Sequence, residues 1–292
     1  MKFAICSYSL SSLVRDGEKT ELELISVAAE LGFEAFEFSE INPPEGENKS
    51  DYAKRLKAEA DRVGIPIVQY SIGADFLYGS NGDLQAEIER LKGEVDVAKA
   101  LGVAGMRHDT TGGYKGEDAE KYTFSDALPR IIEGCRAVTE YAATLGIKTM
   151  TENHGYFSQD SERVKSIVEG VNHPNFGTLV DIGNFLCVDE YPVDAVKSTS
   201  PYAFYVHAKD FCYRKADEIL SADGFFKTRN GNFLKGVILG HGDVPVLEAL
   251  SIVKDNGYNG FVTLEFEGIE DAKLGCAYGL NTLKAVKEKL SW

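Results

Sequence analysis

The chain has 292 residues, 43% of them hydrophobic, and a formal net charge of −15 from 46 acidic against 31 basic side chains. So acidic a balance argues against nucleic acid as a partner, and no run approaches the roughly 18 apolar residues of a membrane span. The N-terminus MKFAICSYSL turns polar too soon for a signal peptide, and five scattered cysteines without a CxxC pair read as reduced thiols of a cytoplasmic protein.

In chain order, the predicted strands are Phe3–Ser7, Ala35–Phe38, Ile67–Tyr70, Ala104–His108, Lys148–Glu152, Gly177–Asp181, Phe204–His207 and Phe261–Phe266. The joins between them repeat. AAELGFEAFEF around Gly32, EADRVGIPIVQY around Gly64, AKALGVAGMRH around Gly102, YAATLGIKTMTEN around Gly146 and VKDNGYNGFVTLEFEG around Gly257 each link an amphipathic helix to a short apolar strand through a glycine. Helices alternating with such strands make βαβ units and a parallel sheet. Eight units predict an α/β fold, a closed (β/α)8 TIM barrel in one domain over residues 1–292, ahead of an open doubly wound sheet. Thr20 to Glu23 has capping-box form, and Asp243 followed by Pro245 predicts a cap before VLEALSIVK.

Two connections stand out. SYSLSSLVRDG, after the first strand, is a candidate lid. Between His207 and Asp243 lie 35 residues, far longer than an ordinary βα loop. Residues 209–238 are expected to cover the barrel mouth. They carry Lys209, Arg214, Lys215, Lys227, Arg229 and Lys235, of which Lys209 and Arg214 or Arg229 are expected to face substrate.

In such a barrel the active site forms where strands end. The strand ends here carry Glu37, Arg107, His108, Glu152, Asp181, His207 and Glu265. Glu152, Asp181, His207 and Glu265 come from four consecutive strands. Three carboxylates and one imidazole suit a single divalent ion, Mn2+ first, with Mg2+, Co2+ or Zn2+ as alternatives. Glu37 is expected either to pair with Arg107 or to face substrate. His108 is expected behind the ligands or beside the substrate rather than as a ligand itself, and His154 either orients substrate or makes a loop hydrogen bond. His173 and His241 fall in turn sequences.

GFEAFEFSE, TMTENHG, LVDIGN, YVHAKDF, LGHGDVPVLEAL and GYNGFVTLEFEG together resemble the xylose isomerase-like TIM barrels, the sugar phosphate isomerase/epimerase group. The resemblance implies that Glu152, Asp181, His207 and Glu265 are the metal ligands and that Lys209, in a His-x-Lys-Asp motif, faces substrate. It departs at Asn184, where ketose 3-epimerases and endonuclease IV-like members usually carry His.

These residues imply a metal-dependent sugar or sugar phosphate isomerase or epimerase. Glu152 and Glu265 would be its acid–base pair, working through a metal-stabilised enediolate, with Asn184 among the substrate-facing groups. An inosose-type dehydratase shares the opening step. A metallo-phosphodiesterase acting on DNA would need more metals and a basic groove, and a non-catalytic sugar-binding protein would not need two facing glutamates. The expected partner is a small carbohydrate; a homo-oligomer is compatible with the sequence.

Overall fold

The computed structural model describes residues 1–292, and in it the eight expected strands close into a parallel barrel. They are β1 (Lys2–Cys6), β2 (Ala35–Ser39), β3 (Ile67–Ile72), β4 (Gly105–His108), β5 (Lys148–Glu152), β6 (Phe176–Asp181), β7 (Ala203–Ala208) and, after three short strands outside the barrel, β11 (Phe261–Leu264). The order around the ring is β1-β11-β7-β6-β5-β4-β3-β2, and β2 pairs with β1 to close it.

The helix joins form for the reasons the sequence suggests. Thr20 Oγ1 accepts from the Glu23 N–H while Glu23 Oε2 accepts from the Thr20 N–H, a reciprocal cap on the helix Glu21–Leu31. That helix ends on Gly32 at φ 90°, in the left-handed region that a side chain resists. No helix is long and apolar enough to cross a membrane.

Strand alternation divides the core into two. Phe36, Phe38, Val180, Val206 and Val262 point outward and belong to the large core beneath the helices. Met150, Leu179 and Tyr205 point inward and form a separate small cluster. The Thr263 hydroxyl donates to Tyr205 Oη at 2.6 Å beside them.

The long connection after β7 is not an irregular loop. It folds as an antiparallel sheet of β8 (Asp210–Arg214), β9 (Phe226–Lys227) and β10 (Phe233–Val237), in the order β8-β10-β9. This sheet leans over the loops that follow β5 and β6. The Arg229 N–H donates to the Cys187 carbonyl at 2.8 Å, and Tyr156 Oη donates to the Lys227 carbonyl at 2.8 Å. The candidate lid after β1 forms a 3-10 turn (Ser7–Leu10) and a short helix (Ser11–Arg15).

The expected Asp243 cap is not made. The helix starts at Val246 with Pro245 as its N-cap and no side-chain cap. Asp243 is drawn to β8 instead, where its Oδ2 accepts from the Tyr213 N–H at 2.7 Å and meets Arg214 at 3.0 Å.

Asp210 holds the sheet to the barrel. Its buried carboxylate accepts from the N–H groups of Phe211, Gly240, Gly242 and Val244 at 2.8–3.1 Å. Hydrogen bonds to a buried charge are stronger than neutral ones, and removing the acceptor leaves several donors unsatisfied. Asp210→Ala should therefore lower unfolding stability by about 3 kcal/mol, read as a fall in the urea midpoint.

Candidate active site

The alternation that fills the barrel floor also loads its rim. Two residues beyond Met150, Leu179 and Tyr205, on the same inward face, stand Glu152, Asp181 and His207. Asp181 and His207 are register partners on neighbouring strands. Glu265 follows the last residue of β11, its N–H donating to the Ala208 carbonyl at 3.1 Å. One donor atom from each of the four lies within 4.8 Å of the others. His207 Nδ1 is 3.9 Å from Glu152 Oε1, 3.9 Å from Asp181 Oδ2 and 3.6 Å from Glu265 Oε2.

His207 is oriented from behind. Its Nε2 donates to Glu37 Oε2 at 2.8 Å, and Glu37 Oε1 accepts from the Ser71 hydroxyl at 2.7 Å. This leaves Nδ1 turned toward the carboxylates with no hydrogen-bond partner. Asp181 Oδ1 accepts from the N–H groups of Gly183 and Asn184 at 2.8 and 3.0 Å, while its Oδ2 is also buried and unpartnered. Two such orphaned atoms facing one small space fit a divalent cation, because donors each roughly 2.0–2.4 Å from an ion lie no more than about 4.8 Å apart.

Each of the outer two glutamates has its own cation. Arg107 reaches from β4 to Glu152 Oε2 at 2.6 Å and to Asp109 Oδ1 at 2.9 Å. Asp109 in turn meets His154 Nδ1 at 3.0 Å. On the other flank Lys209 Nζ lies 2.5 Å from Glu265 Oε2, 3.1 Å from Glu267 Oε2 and 3.8 Å from Asp181 Oδ2.

These contacts set the proton affinities without an ion. Burial pushes Asp181 up to about 7; Lys209 opposes the shift, and Glu152 and Glu265 add to it. Burial disfavours a charged His207, but Glu37 and Glu265 outweigh it and hold the ring well above the usual histidine range. Glu265 lies well below the usual carboxylate range despite its burial, because Lys209 and His207 stand beside it. Burial likewise acts against ionised Asp109, and Arg107 overrides it, drawing the carboxyl down to about 2.

A cavity of about 480 Å3 opens above these atoms. Of the residues expected from the sequence, Arg107, Glu152, His154, His207, Lys209 and Glu265 line it, with Asp181 buried beneath. Four others do not. Glu37 is fully buried and makes no pair with Arg107; it serves His207. His108 cannot face inward, because its strand neighbour Arg107 does. It packs between Phe76 and Phe176, where burial lowers it to about 4. Asn184 is turned onto the cluster itself, donating to Glu152 Oε1 at 3.0 Å. Arg214 lies half-exposed on Asp243, and Arg229 is tied to Asp160 at 2.8 Å, so Lys209 is the one cation of the long connection that reaches the cavity.

Sequence reasoning passed over Tyr8, Glu40, Asp109 and Glu267, which also line the cavity. Asp109 and Glu267 could have been found as acids lying just beyond strand ends. Glu40 adopts a left-handed backbone at φ 53°, which no motif announced.

A closed parallel barrel with an acidic, imidazole-bearing cluster at the C-terminal ends of its strands defines a class of enzyme folds rather than one reaction. The sequence model of the xylose isomerase-like TIM barrel matches residues 25–292, and the chain belongs to that family. Among curated proteins it is similar to the inosose dehydratase of Clostridium botulinum, at 25% identity over 179 residues, 59% of this chain and 58% of that protein. The inosose dehydratase of Clostridium perfringens is 24% identical over 166 residues, 54% of each. The chain thus spans little more than half the length of the curated relatives it matches.

Three solved structures share the fold. A zinc-bound IOLI protein gives a TM-score of 0.74 at 17% identity, covering 99% of both chains. An L-ribulose 3-epimerase gives 0.72 at 15%, covering 100% of this chain and 96% of that one. A probable 3-DHS dehydratase from Bacillus anthracis gives 0.71 at 20%, covering 97% and 99%.

An ion entering the cluster must displace the protons that Asp181 and His207 hold without it. Protonation competes with binding, so Mn2+ affinity should rise with pH. The rise should be steeper below about pH 7, where both groups release a proton, than above it, where only His207 does. Calorimetric titration across this range measures the slope, and His207→Ala should lose most of the binding.

Proposed function

We propose that this protein is a divalent-metal-dependent isomerase or epimerase that moves a proton next to the carbonyl of an uncharged polyhydroxy ketone. The observation that carries this reading is the placing of Glu152 and Glu265. They stand at the two ends of the arc β5-β6-β7-β11, each with its own cation, and both face the cavity that holds the orphaned His207 Nδ1. Three hard carboxylate oxygens and one imidazole favour Mn2+, and a bound ion would supply the positive charge that acidifies the C–H beside the carbonyl.

The chain's own residues do the rest. Lys209 keeps Glu265 ionised and able to accept a proton. On the far flank, Arg107 and Asn184 fix the orientation of the Glu152 carboxyl, which would take up a proton from solvent and deliver it to the opposite face, while Glu265 would release the one it removed to solvent. Lys209 also donates to substrate oxygens, and His154, with its imidazolium favoured by Asp109 against burial, stands where a hydroxyl could be held.

The cavity's charge speaks to the substrate. Glu40, Asp109, Glu152, Glu265 and Glu267 line it against Arg107 and Lys209, and both cations are already paired with carboxylates. A phosphate would meet a net negative wall with no free guanidinium, whereas hydroxyl groups find acceptors on every side.

A second reading is a dehydratase of the inosose type, supported by the Clostridium relatives and by the Asp109–His154 pair. One glutamate would take the proton beside the ketone, the β-hydroxyl would depart with a proton from His154, and water would be released.

Solvent-deuterium exchange into a panel of ketoses and inosose tests both. Exchange with recovery of an isomeric ketone supports the first reading; an unsaturated ketone supports the second. Glu152→Gln and Glu265→Gln should each slow exchange by about 10²–10⁴ while still binding Mn2+, since a general base contributes on that order. Exchange at the wild-type rate in either variant would remove that glutamate from the mechanism. D-fructose should also bind more tightly than D-fructose 6-phosphate, and the reverse order would overturn the neutral substrate.

A further inference from the structure

The metal-side cavity has a neighbour. A groove of about 510 Å3 runs between the short helix Ser11–Arg15 and the segment that follows Glu265, and it shares Tyr8 and Glu267 with the first cavity as a common wall. The same Lys209 that grips Glu265 at 2.5 Å holds Glu267 at 3.1 Å, so the wall between the two spaces is tied to the reacting end of the site.

The groove's lining is specific in kind. Tyr8, 45% exposed, and Ile269, 77% exposed, offer two apolar surfaces at its sides. Ser12 offers a hydroxyl, and Glu267 and Glu270 offer carboxylate acceptors. Its one cation, Arg15, is already engaged with Asp16 at 3.1 Å. An aromatic face with hydroxyl and carboxylate groups around it matches a sugar ring, which presents an apolar C–H face and a rim of hydroxyl donors. An anionic group would meet the carboxylates of Asp16, Glu18, Glu267, Glu270 and Asp271 against Arg15 alone, and a purely apolar one would strand the acceptors.

We propose that this groove is a second sugar subsite, so that the substrate is an uncharged ketose or keto-sugar carrying a further glycosyl unit. This rests on the reading of the first cavity as the ketone site. The ketone ring would occupy the cavity above His207, and the attached sugar would pass Tyr8 and lie along Ser12 and Ile269.

The test compares D-fructose with isomaltulose, the same ketose bearing a glucosyl unit, by calorimetric titration of the Mn2+-loaded protein. Isomaltulose should bind on the order of tenfold more tightly, the scale of one additional well-made set of contacts. Ser12→Trp, which fills the groove, should remove most of that advantage, and so should Ile269→Asp on the exposed segment. Equal affinity for the two sugars, or an advantage that survives both variants, overturns the subsite. If fructose binds and exchanges deuterium but the glucosyl unit adds nothing, the subsite fails and the ketone site stands. If neither sugar binds and neither exchanges, both proposals fall together.

Discussion

Negative charge gathered in a space shielded from water governs the mouth of this barrel. Glu152, Asp181 and Glu265 bring donor oxygens within 4.8 Å of one another, and like charges so close cannot all ionise without compensation in a low dielectric. Arg107 and Lys209 neutralise the two flanks. The centre, where Asp181 Oδ2 and His207 Nδ1 have no hydrogen-bond partner, keeps an electrostatic demand that protons meet in part and a divalent cation meets better. The pairing of each outer glutamate, the high proton affinity of Asp181 and the acceptor that Glu37 offers to the back of His207 all answer that demand.

The fold supplies the convergence at little cost, because a strand's two-residue period stacks an apolar layer directly below a polar one. Met150, Leu179 and Tyr205 exclude water from beneath the cluster, and this strengthens the interactions above them. The sheet β8-β10-β9 then walls one side. Its register is fixed by Asp210, so Lys209, one residue earlier, is delivered to the glutamates by the backbone that anchors the sheet.

Much of this was legible in the chain because burying an ionisable group at a strand end is costly, so four in succession carry information that one does not. The barrel was legible through its repeated helix–Gly–strand joins. What escaped was whatever depends on contact across the barrel. Glu37 and His207 are 170 positions apart on strands that are not neighbours in the ring, and no spacing rule predicts that they meet. His108 was misjudged for a local reason: strand alternation already excludes it once Arg107 points inward. The Asp243 cap was a sound local pattern that lost to a longer-range partner on β8. The long connection read as a basic loop because its charged residues masked the alternation in DFCYR and NFLKGV.

The anchoring of that sheet has a consequence for the chain's connectivity. Asp210 fixes one edge and Arg229 another, yet between β8 and β9 the chain runs out to Leu220, which is fully exposed. The chain's two ends, meanwhile, lie together: Lys287 of the last helix places its ammonium over the Phe3 ring at 5.1 Å. Such an arrangement suits circular permutation. Sealing the old ends with a short linker and opening the chain near Leu220 would keep all eight barrel strands and the metal-side residues in register. It would also turn the sheet beside the mouth into two free arms, separating what the barrel does by itself from what this side wall contributes.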